Sequence, residues 1–202
     1  DVINITDDNS LDFGTGNFTI NLWVNPNGFT SGERVIAKRG GSYGDGWEIG
    51  KGLKTSTKWC LTVLNSTTSV GADFPSGGTS GWNMLTIVRN NDTILLYLNN
   101  NASTSTTDAI FGTDFLTAYN LFIGSFVSES GYGFNGLIDE VLIYNDTLTP
   151  TEISNLYKTG LSQHASTNIS LQTRTATSYN LTDTGLVSFW SFNTNLSGNA
   201  TD

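Results

Sequence analysis

The chain has 202 residues and a mass of 21.8 kDa, room for one large β domain or one domain with an appendage. Acidic residues number 18 against nine basic, so the net charge is −9 and the pI is near 4.3. That balance argues against nucleic-acid binding, where neutralising phosphates supplies most of the affinity. Only 13% of residues are charged, yet 37% apolar and 11% aromatic content is enough to bury a core.

No apolar run reaches the length of a membrane span and none resembles a signal peptide, so the sequence reads as a soluble, mature, globular segment. Cys60 is the one cysteine and His164 the one histidine. That leaves no intrachain disulfide, no zinc set, and no obvious Ser–His or Cys–His catalytic pair. No Gly-rich phosphate motif precedes a helix.

Strand signals begin with Phe18-Thr19-Ile20-Asn21-Leu22-Trp23-Val24, whose alternation puts Phe18, Ile20, Leu22 and Val24 on one face. Trp47-Glu48-Ile49, Trp59 to Leu64 and Leu85 to Val88 follow. Asn90-Asn91-Asp92 supplies turn chemistry before Ile94 to Leu98, which predicts a hairpin. Leu121-Phe122-Ile123 comes next, then a Gly-rich stretch with Gly131, Gly133 and Gly136, then Leu137 to Tyr144. Several strands are apolar on both faces, as where sheets stack, so the fold class is an all-β sandwich or jelly roll.

One short helix is signalled. Thr149-Pro150-Thr151-Glu152 is a capping box, with Leu148 and Ile153 placed for a hydrophobic staple. Ile153, Leu156 and Tyr157 share one face, and Gly160 can end the helix. Residues 161–184 then read as a Ser/Thr-rich connector in which Ile169 and Leu171 are the best strand candidates. Leu186-Val187-Ser188-Phe189-Trp190-Ser191-Phe192 is a strong strand, which must pair somewhere.

Asn-x-Ser/Thr sequons start at Asn4, Asn17, Asn65, Asn91, Asn101, Asn145, Asn168, Asn180, Asn195 and Asn199. Composition alone generates part of this load. A glycosylated chain on the cell surface or outside the cell explains the excess. Turn-like settings make Asn91, Asn101, Asn145 and Asn199 the best candidates, while Asn17 and Asn65 border strands.

Two segments carry a family resemblance. Ser10-Leu11-Asp12-Phe13-Gly14-Thr15-Gly16-Asn17-Phe18-Thr19-Ile20 to Trp23-Val24 resembles the early strand of the laminin G-like branch of the concanavalin A-like jelly rolls. Gly136-Leu137-Ile138-Asp139-Glu140-Val141-Leu142-Ile143-Tyr144-Asn145, with Leu148-Thr149, resembles that family's last strand and closing helix. The resemblance covers residues 1–160 and implies a concanavalin A-like jelly-roll β-sandwich with one short helix. Leu186 to Phe192 and Gly198 to Asp202 resemble the family's first strand and its loop, which belong before residue 1. The resulting expectation is a jelly roll over 1–160 lacking its first strand, a connector over 161–184, and a first-strand segment over 185–202. In the family the first and last strands are neighbours. Leu186, Phe189, Trp190 and Phe192 are therefore expected to complement Leu137–Tyr144 antiparallel, by folding back, in a neighbouring copy, or as the start of a next repeat. The neighbouring copy is the arrangement favoured here.

Four functions can be weighed. Related glucanases carry two carboxylates on alternating strand positions. Asp139 and Glu140 are adjacent, so two-fold alternation places them on opposite faces and a glycosidase is not expected. A calcium ion is the candidate cofactor, since many members of the family resembled hold one near the first-strand loop. Asp139 and Asp202 would be its ligands, the alternative being an exposed Asp202 and an Asp139 satisfied by backbone amides. Carbohydrate binding would use aromatic faces, for which Tyr43, Trp47 and Tyr132 beside Gly-rich loops are candidates, although Trp47 also suits core packing. The displaced strand and the sequon load favour a fourth reading. It is a non-catalytic structural or adhesive module of an array or filament, with copies of itself or adjacent repeats as partners. A lectin-like module contacting surface glycans is the alternative.

Overall fold

The structure is a computed structural model that describes residues 1–28, 30–40, 45–55, 57–65, 68–75, 80–115, 117–126 and 131–164, and the backbone of 186–190. Its strands are β1 (Ile3–Ile5), β2 (Phe18–Pro26), β3 (Arg34–Arg39), β4 (Gly46–Lys51), β5 (Trp59–Asn65), β6 (Thr68–Asp73) and β7 (Asn83–Asn90). After these come β8 (Thr93–Leu98), β9 (Asn101–Thr107), β10 (Leu121–Ile123), β11 (Gly136–Tyr144), the helix α1 (Pro150–His164) and β12 (Leu186–Trp190). They form two six-stranded sheets. Sheet 1 runs β1-β10-β3-β4-β5-β6 and sheet 2 runs β12-β11-β2-β7-β8-β9, with every neighbouring pair antiparallel.

The alternation read from the sequence fills the space between the sheets. Phe18, Ile20, Leu22 and Val24 of β2 join Leu85, Ile87, Val141 and Ile143 against Trp47, Ile49, Trp59, Leu61 and Val63 of sheet 1. Burying one large side chain of this kind contributes about 1.5–3 kcal/mol. The β7–β8 hairpin closes through Asn91 and Asp92 between the paired Asn90 and Thr93, and Asn91 has φ 54°, a conformation asparagine tolerates better than most residues. Four strands escape the apolar pattern: β1, β3, β6 and β9. β9 reads Asn-Ala-Ser-Thr-Ser-Thr-Thr, a polar edge whose place comes from pairing with β8.

Two cations stand on the core-facing side of sheet 1. Lys38 pairs across strands with the buried Trp47, and its Nζ donates to Asp7 Oδ1 (2.6 Å), Asp12 Oδ1 (2.8 Å) and the Thr117 carbonyl (2.6 Å). Lys51, likewise buried, meets Glu33 Oε2 at 2.6 Å and donates to the Gly28 carbonyl. A buried ammonium is tolerable only with such partners, so these contacts tie the N-terminal segment and the surrounding loops to the sheet.

α1 packs on the outer face of sheet 2. Its capping box forms in both directions: Thr149 N–H donates to Glu152 Oε2 (2.7 Å) and Glu152 N–H to Thr149 Oγ1 (3.3 Å). The hydrogen bonds from Thr149 hold the Glu152 carboxyl below its ordinary pKa. Ile153, with Leu148, Leu156 and Tyr157 beside it, covers Trp23, Met84 and Val88, the outward residues of β2 and β7. The helix does not stop at Gly160. It runs to His164, so the first four residues assigned to the connector are helical. Gly160 is there for packing: a Cβ on it would fall 2.6 and 2.8 Å from Trp23 Cε2 and Cζ2.

β12 pairs antiparallel with β11 of its own chain, Val141 opposite Trp190 and Leu142 opposite Phe189. Within the single chain β12 thus folds back onto the strand expected from the sequence, one of the three arrangements open to it. Pairing within one chain avoids the translational and rotational freedom that joining two copies would cost. Phe192, and the strand candidates Ile169 and Leu171, lie outside the described residues.

Gly160→Ala tests the helix seat. Propensity alone favours alanine inside a helix by about 1 kcal/mol, whereas overpacking against Trp23 costs on the order of 1–3 kcal/mol. Net destabilisation in urea unfolding is expected, and a gain in stability would contradict the packing.

Candidate functional site

The outer face of sheet 1 is built around Glu48. Ala37, Glu48, Thr62 and Gly71 lie opposite one another across β3, β4, β5 and β6. Glu48 Oε2 accepts from Arg39 Nε at 2.7 Å and from Arg34 Nε at 3.1 Å. Arg34 and Arg39 are five residues apart, which in a regular strand sends them to opposite faces. A register shift in β3 between Arg34 and Ile36 brings both to the same one.

Aromatic rings cover the two guanidinium groups. Arg39 Cζ lies 3.8 Å from the Phe126 ring centroid, and Arg34 Cζ lies 4.7 Å from that of Tyr132. Phe126 and Tyr132 meet edge to face at 5.7 Å, and the Tyr132 carbonyl accepts the Arg34 backbone N–H at 3.0 Å. Each contact combines ring–cation attraction with burial of apolar surface. Tyr132 is nonetheless 40% exposed. At the other end of β3, Tyr119 is 45% exposed and its ring lies against Gly40, where a Cβ would come 2.7 Å from Tyr119 Cε2. Arg39 Nη1 donates to the Gly40 carbonyl at 3.4 Å. The outer face therefore presents one exposed tyrosine, Tyr132, beside a braced arginine–glutamate centre, while Tyr119, two residues before the inward Leu121, stands at the rim on the core-facing side.

The three aromatic candidates separate. Tyr132 is exposed and braced. Trp47 is 1% exposed within the core, beside Phe13, and offers no ring face to a ligand. It alternates with Glu48 on β4, and its inward position is the one that fills the sandwich. Tyr43 lies in the β3–β4 connection, outside the described residues.

Asp139 and Glu140 sit where β11 bulges. Asp139 opposes Trp23 and Leu142 opposes Asn21, leaving Glu140 and Val141 to share Leu22. Glu140 has φ 48°, an uncommon conformation for this residue type, so the simple two-fold alternation used to separate the carboxylates does not apply here. Both residues are buried. Asp139 Oδ1 accepts the Glu140 N–H at 2.8 Å and Oδ2 lies 3.9 Å from His164 Nε2. That is the backbone-satisfied alternative for Asp139. Asp202 lies outside the described residues, and among the described residues no three His, Cys, Asp or Glu side chains gather as a metal set.

A family model described as the concanavalin A-like lectin/glucanases superfamily matches residues 1–154. The chain belongs to that superfamily. Among curated proteins, none matches the sequence. Solved structures share the fold at low identity. The sialidase CBM40 of Ruminococcus gnavus, bound to α2,3-sialyllactose, superposes with TM-score 0.58 at 15% identity, covering 78% of this chain and 96% of that one. Domain 4 of the extracellular arabinanase AbnA of Geobacillus stearothermophilus, in complex with arabinotriose, gives 0.56 at 23% identity, covering 77% and 72%. The botulinum neurotoxin serotype G binding domain gives 0.56 at 15% identity over 80% of this chain, which spans only 45% of that one. This chain likewise spans 38% and 35% of two further chains it resembles, a receptor binding domain and a botulinum neurotoxin type C structure. Among the described residues no helix is long and apolar enough to cross a membrane.

Arg34, Arg39, Glu48, Phe126 and Tyr119 were not signalled by the sequence. The strand Arg-Val-Ile-Ala-Lys-Arg reads as a charged, irregular run, and only its register shift gathers two of its cations on one face. Glu48→Ala leaves the buried Arg39 guanidinium and the half-buried Arg34 guanidinium without their shared acceptor. The expected loss is about 3 kcal/mol in denaturant unfolding, against little change if the pairs were solvent-screened.

Proposed function

We propose that the chain is a non-catalytic carbohydrate-binding module of a secreted or cell-surface protein, taking its ligand on the outer face of sheet 1. The carrying observation is Tyr132: an exposed ring held in one orientation by Arg34 and Phe126. A sugar ring packs its C–H face on such a platform, while neighbouring polar groups fix its orientation. Immobilising Tyr132 in advance lowers the ordering cost of binding. Two structures of this fold support the reading, a sialidase CBM40 bound to α2,3-sialyllactose and domain 4 of an arabinanase in complex with arabinotriose. Strand donation between copies loses its motive, because β12 covers the β11 edge within the chain.

Glycan-array or calorimetric screening of the purified chain should find a bound oligosaccharide. Tyr132→Ala should weaken that binding at least tenfold, about 1.4 kcal/mol, while the variant still folds with a loss of only about 1 kcal/mol in unfolding. Full binding by the variant, or no glycan bound by the wild-type chain, would contradict the assignment.

An extracellular chain would also carry glycans of its own. Asn91, Asn101 and Asn145 are exposed, Asn91 in the β7–β8 turn and Asn101 and Asn145 at strand ends. Asn17 is half-buried and its Oδ1 accepts the Asn91 N–H at 2.9 Å. Asn199 lies outside the described residues. Mass spectrometry of the native protein is expected to find glycan on Asn91, Asn101 and Asn145 and none on Asn17. The reverse pattern would mean that exposure does not govern occupancy here.

A further inference from the structure

The braced centre on the outer face of sheet 1 carries a charge that its own residues leave unmatched. Arg34 and Arg39 lean on one carboxylate through the same atom, Glu48 Oε2, at 3.1 and 2.7 Å. Two guanidinium groups thus face a single negative charge. Further along the face stand Asp73, opposite Cys60, and Lys54, whose Nζ donates to the Gly71 carbonyl at 2.6 Å. These two offset each other in sign. The centre is therefore locally cationic, although the chain as a whole has a net charge of −9.

The two arginines differ in what they leave open. Arg39 is closed in, 5% exposed with Phe126 over its guanidinium. Arg34 keeps 13% of its side chain open to solvent. Its Nε donates to Glu48 and its Nη1 to the Gly32 carbonyl. The remaining nitrogen, Nη2, meets no acceptor among the described residues. Nor is it sealed away: among those residues the buried side-chain atoms without partners are Trp23 Nε1, Trp47 Nε1, Asp73 Oδ1 and His164 Nε2. This open donor belongs to the group whose Cζ stands 4.7 Å from the centre of the exposed Tyr132 ring. A charged donor with no partner, reaching water beside an aromatic platform, is a place to hold an anion.

We propose that the glycan taken on this face is acidic: resting on the reading of Tyr132 as a sugar platform, a sugar carboxylate accepts from Arg34 Nη2 while the sugar ring lies on Tyr132. A charge-assisted hydrogen bond of this kind is about twice as strong as one between neutral groups. A hydroxyl could accept from the same nitrogen, but it would leave the excess charge of the centre uncompensated. The carboxylate of an acidic sugar sits at the rim of its ring, so one residue can meet both the tyrosine and the arginine. Phe126 and Tyr132 wall the guanidinium groups with apolar surface, and a pairing that water reaches less is stronger. The attraction is local. Charges more than about 8 Å away are largely screened at physiological ionic strength, so the acidity of the rest of the chain does not forbid an acidic ligand.

The test uses the full chain with matched oligosaccharides: hexuronic and sialic acids, the same sugars with the carboxyl reduced to an alcohol, and sulfate esters. Calorimetry should find a carboxylate form bound at least about tenfold more tightly than its reduced, neutral counterpart. Arg34→Gln leaves Arg39 and Glu48 as a matched pair. In that variant the preference between the two forms should vanish, even where loss of the brace on Tyr132 weakens both. Neutral and acidic forms bound equally by the wild type would overturn the proposal and leave the carbohydrate-binding module standing. Sulfate esters bound in place of carboxylates would overturn it, as would a variant that keeps the wild-type preference. No binding of any sugar would remove the platform reading as well. Should Arg34→Gln fail to fold, the side-chain nitrogen resonances of Arg34 in the wild type give the answer. They should move with the carboxylate form and not with its reduced counterpart, and equal response to both would count against the assignment.

Discussion

A strand that contributes alternate residues to a closed core can redirect its other residues only by inserting an extra one. That constraint organises two corners of this molecule, in β3 and in β11. In β3 the shift between Arg34 and Ile36 keeps Ile36 in the core while bringing Arg34 round to the face that holds Arg39 and Glu48. In β11 the shift between Asp139 and Leu142 keeps Val141 and Ile143 inward. The same bulge leaves Asp139 beside the end of α1. The core tolerates such insertions because the residues on either side still meet their partners in register.

The two sheets carry different burdens. Sheet 1 turns buried cations inward, Lys38 to Asp7 and Asp12 and Lys51 to Glu33, and spends its outer face on a braced arginine–glutamate–aromatic surface. Sheet 2 is covered on its outer side by α1, which hides Trp23, Met84 and Val88. Charge follows the same division. In a chain with net charge −9, many of the few basic side chains are consumed in buried contacts, Arg89 included, whose guanidinium donates to the Gly14, Thr113 and Asn91 carbonyls. The proposed ligand-facing role of Tyr132 beside Arg34 therefore rests on geometry, with little contribution from long-range attraction.

What could be read from residues alone was whatever rests on local periodicity and local hydrogen bonding. The inward set Phe18, Ile20, Leu22 and Val24, the Asn91-Asp92 turn, the Thr149–Glu152 capping box and the pairing partner of Leu186–Trp190 all belong to that class. Each depends on neighbours within a few positions, or on a motif whose place in the jelly roll is shared across the superfamily. β1 and β9 were invisible for the complementary reason. Three residues of β1, and a mostly polar run in β9, become strands only because β10 and β8 offer them an open edge.

The composition, the hydrophobic alternation and the closing motif were enough to determine an all-β jelly roll with a single capped helix. Tertiary structure alone decided which side chains reach solvent together. Trp47 and Tyr132 are both aromatics near Gly-rich segments, yet core packing takes the first and Arg34 with Phe126 props up the second. Gly160 reads as a helix stop but serves as the seat of Trp23, because a close approach across elements leaves no trace in local periodicity. His164 likewise gains its meaning from Trp23, Trp82 and Asp139, residues 25 to 141 positions away that meet it only once the sheets have closed.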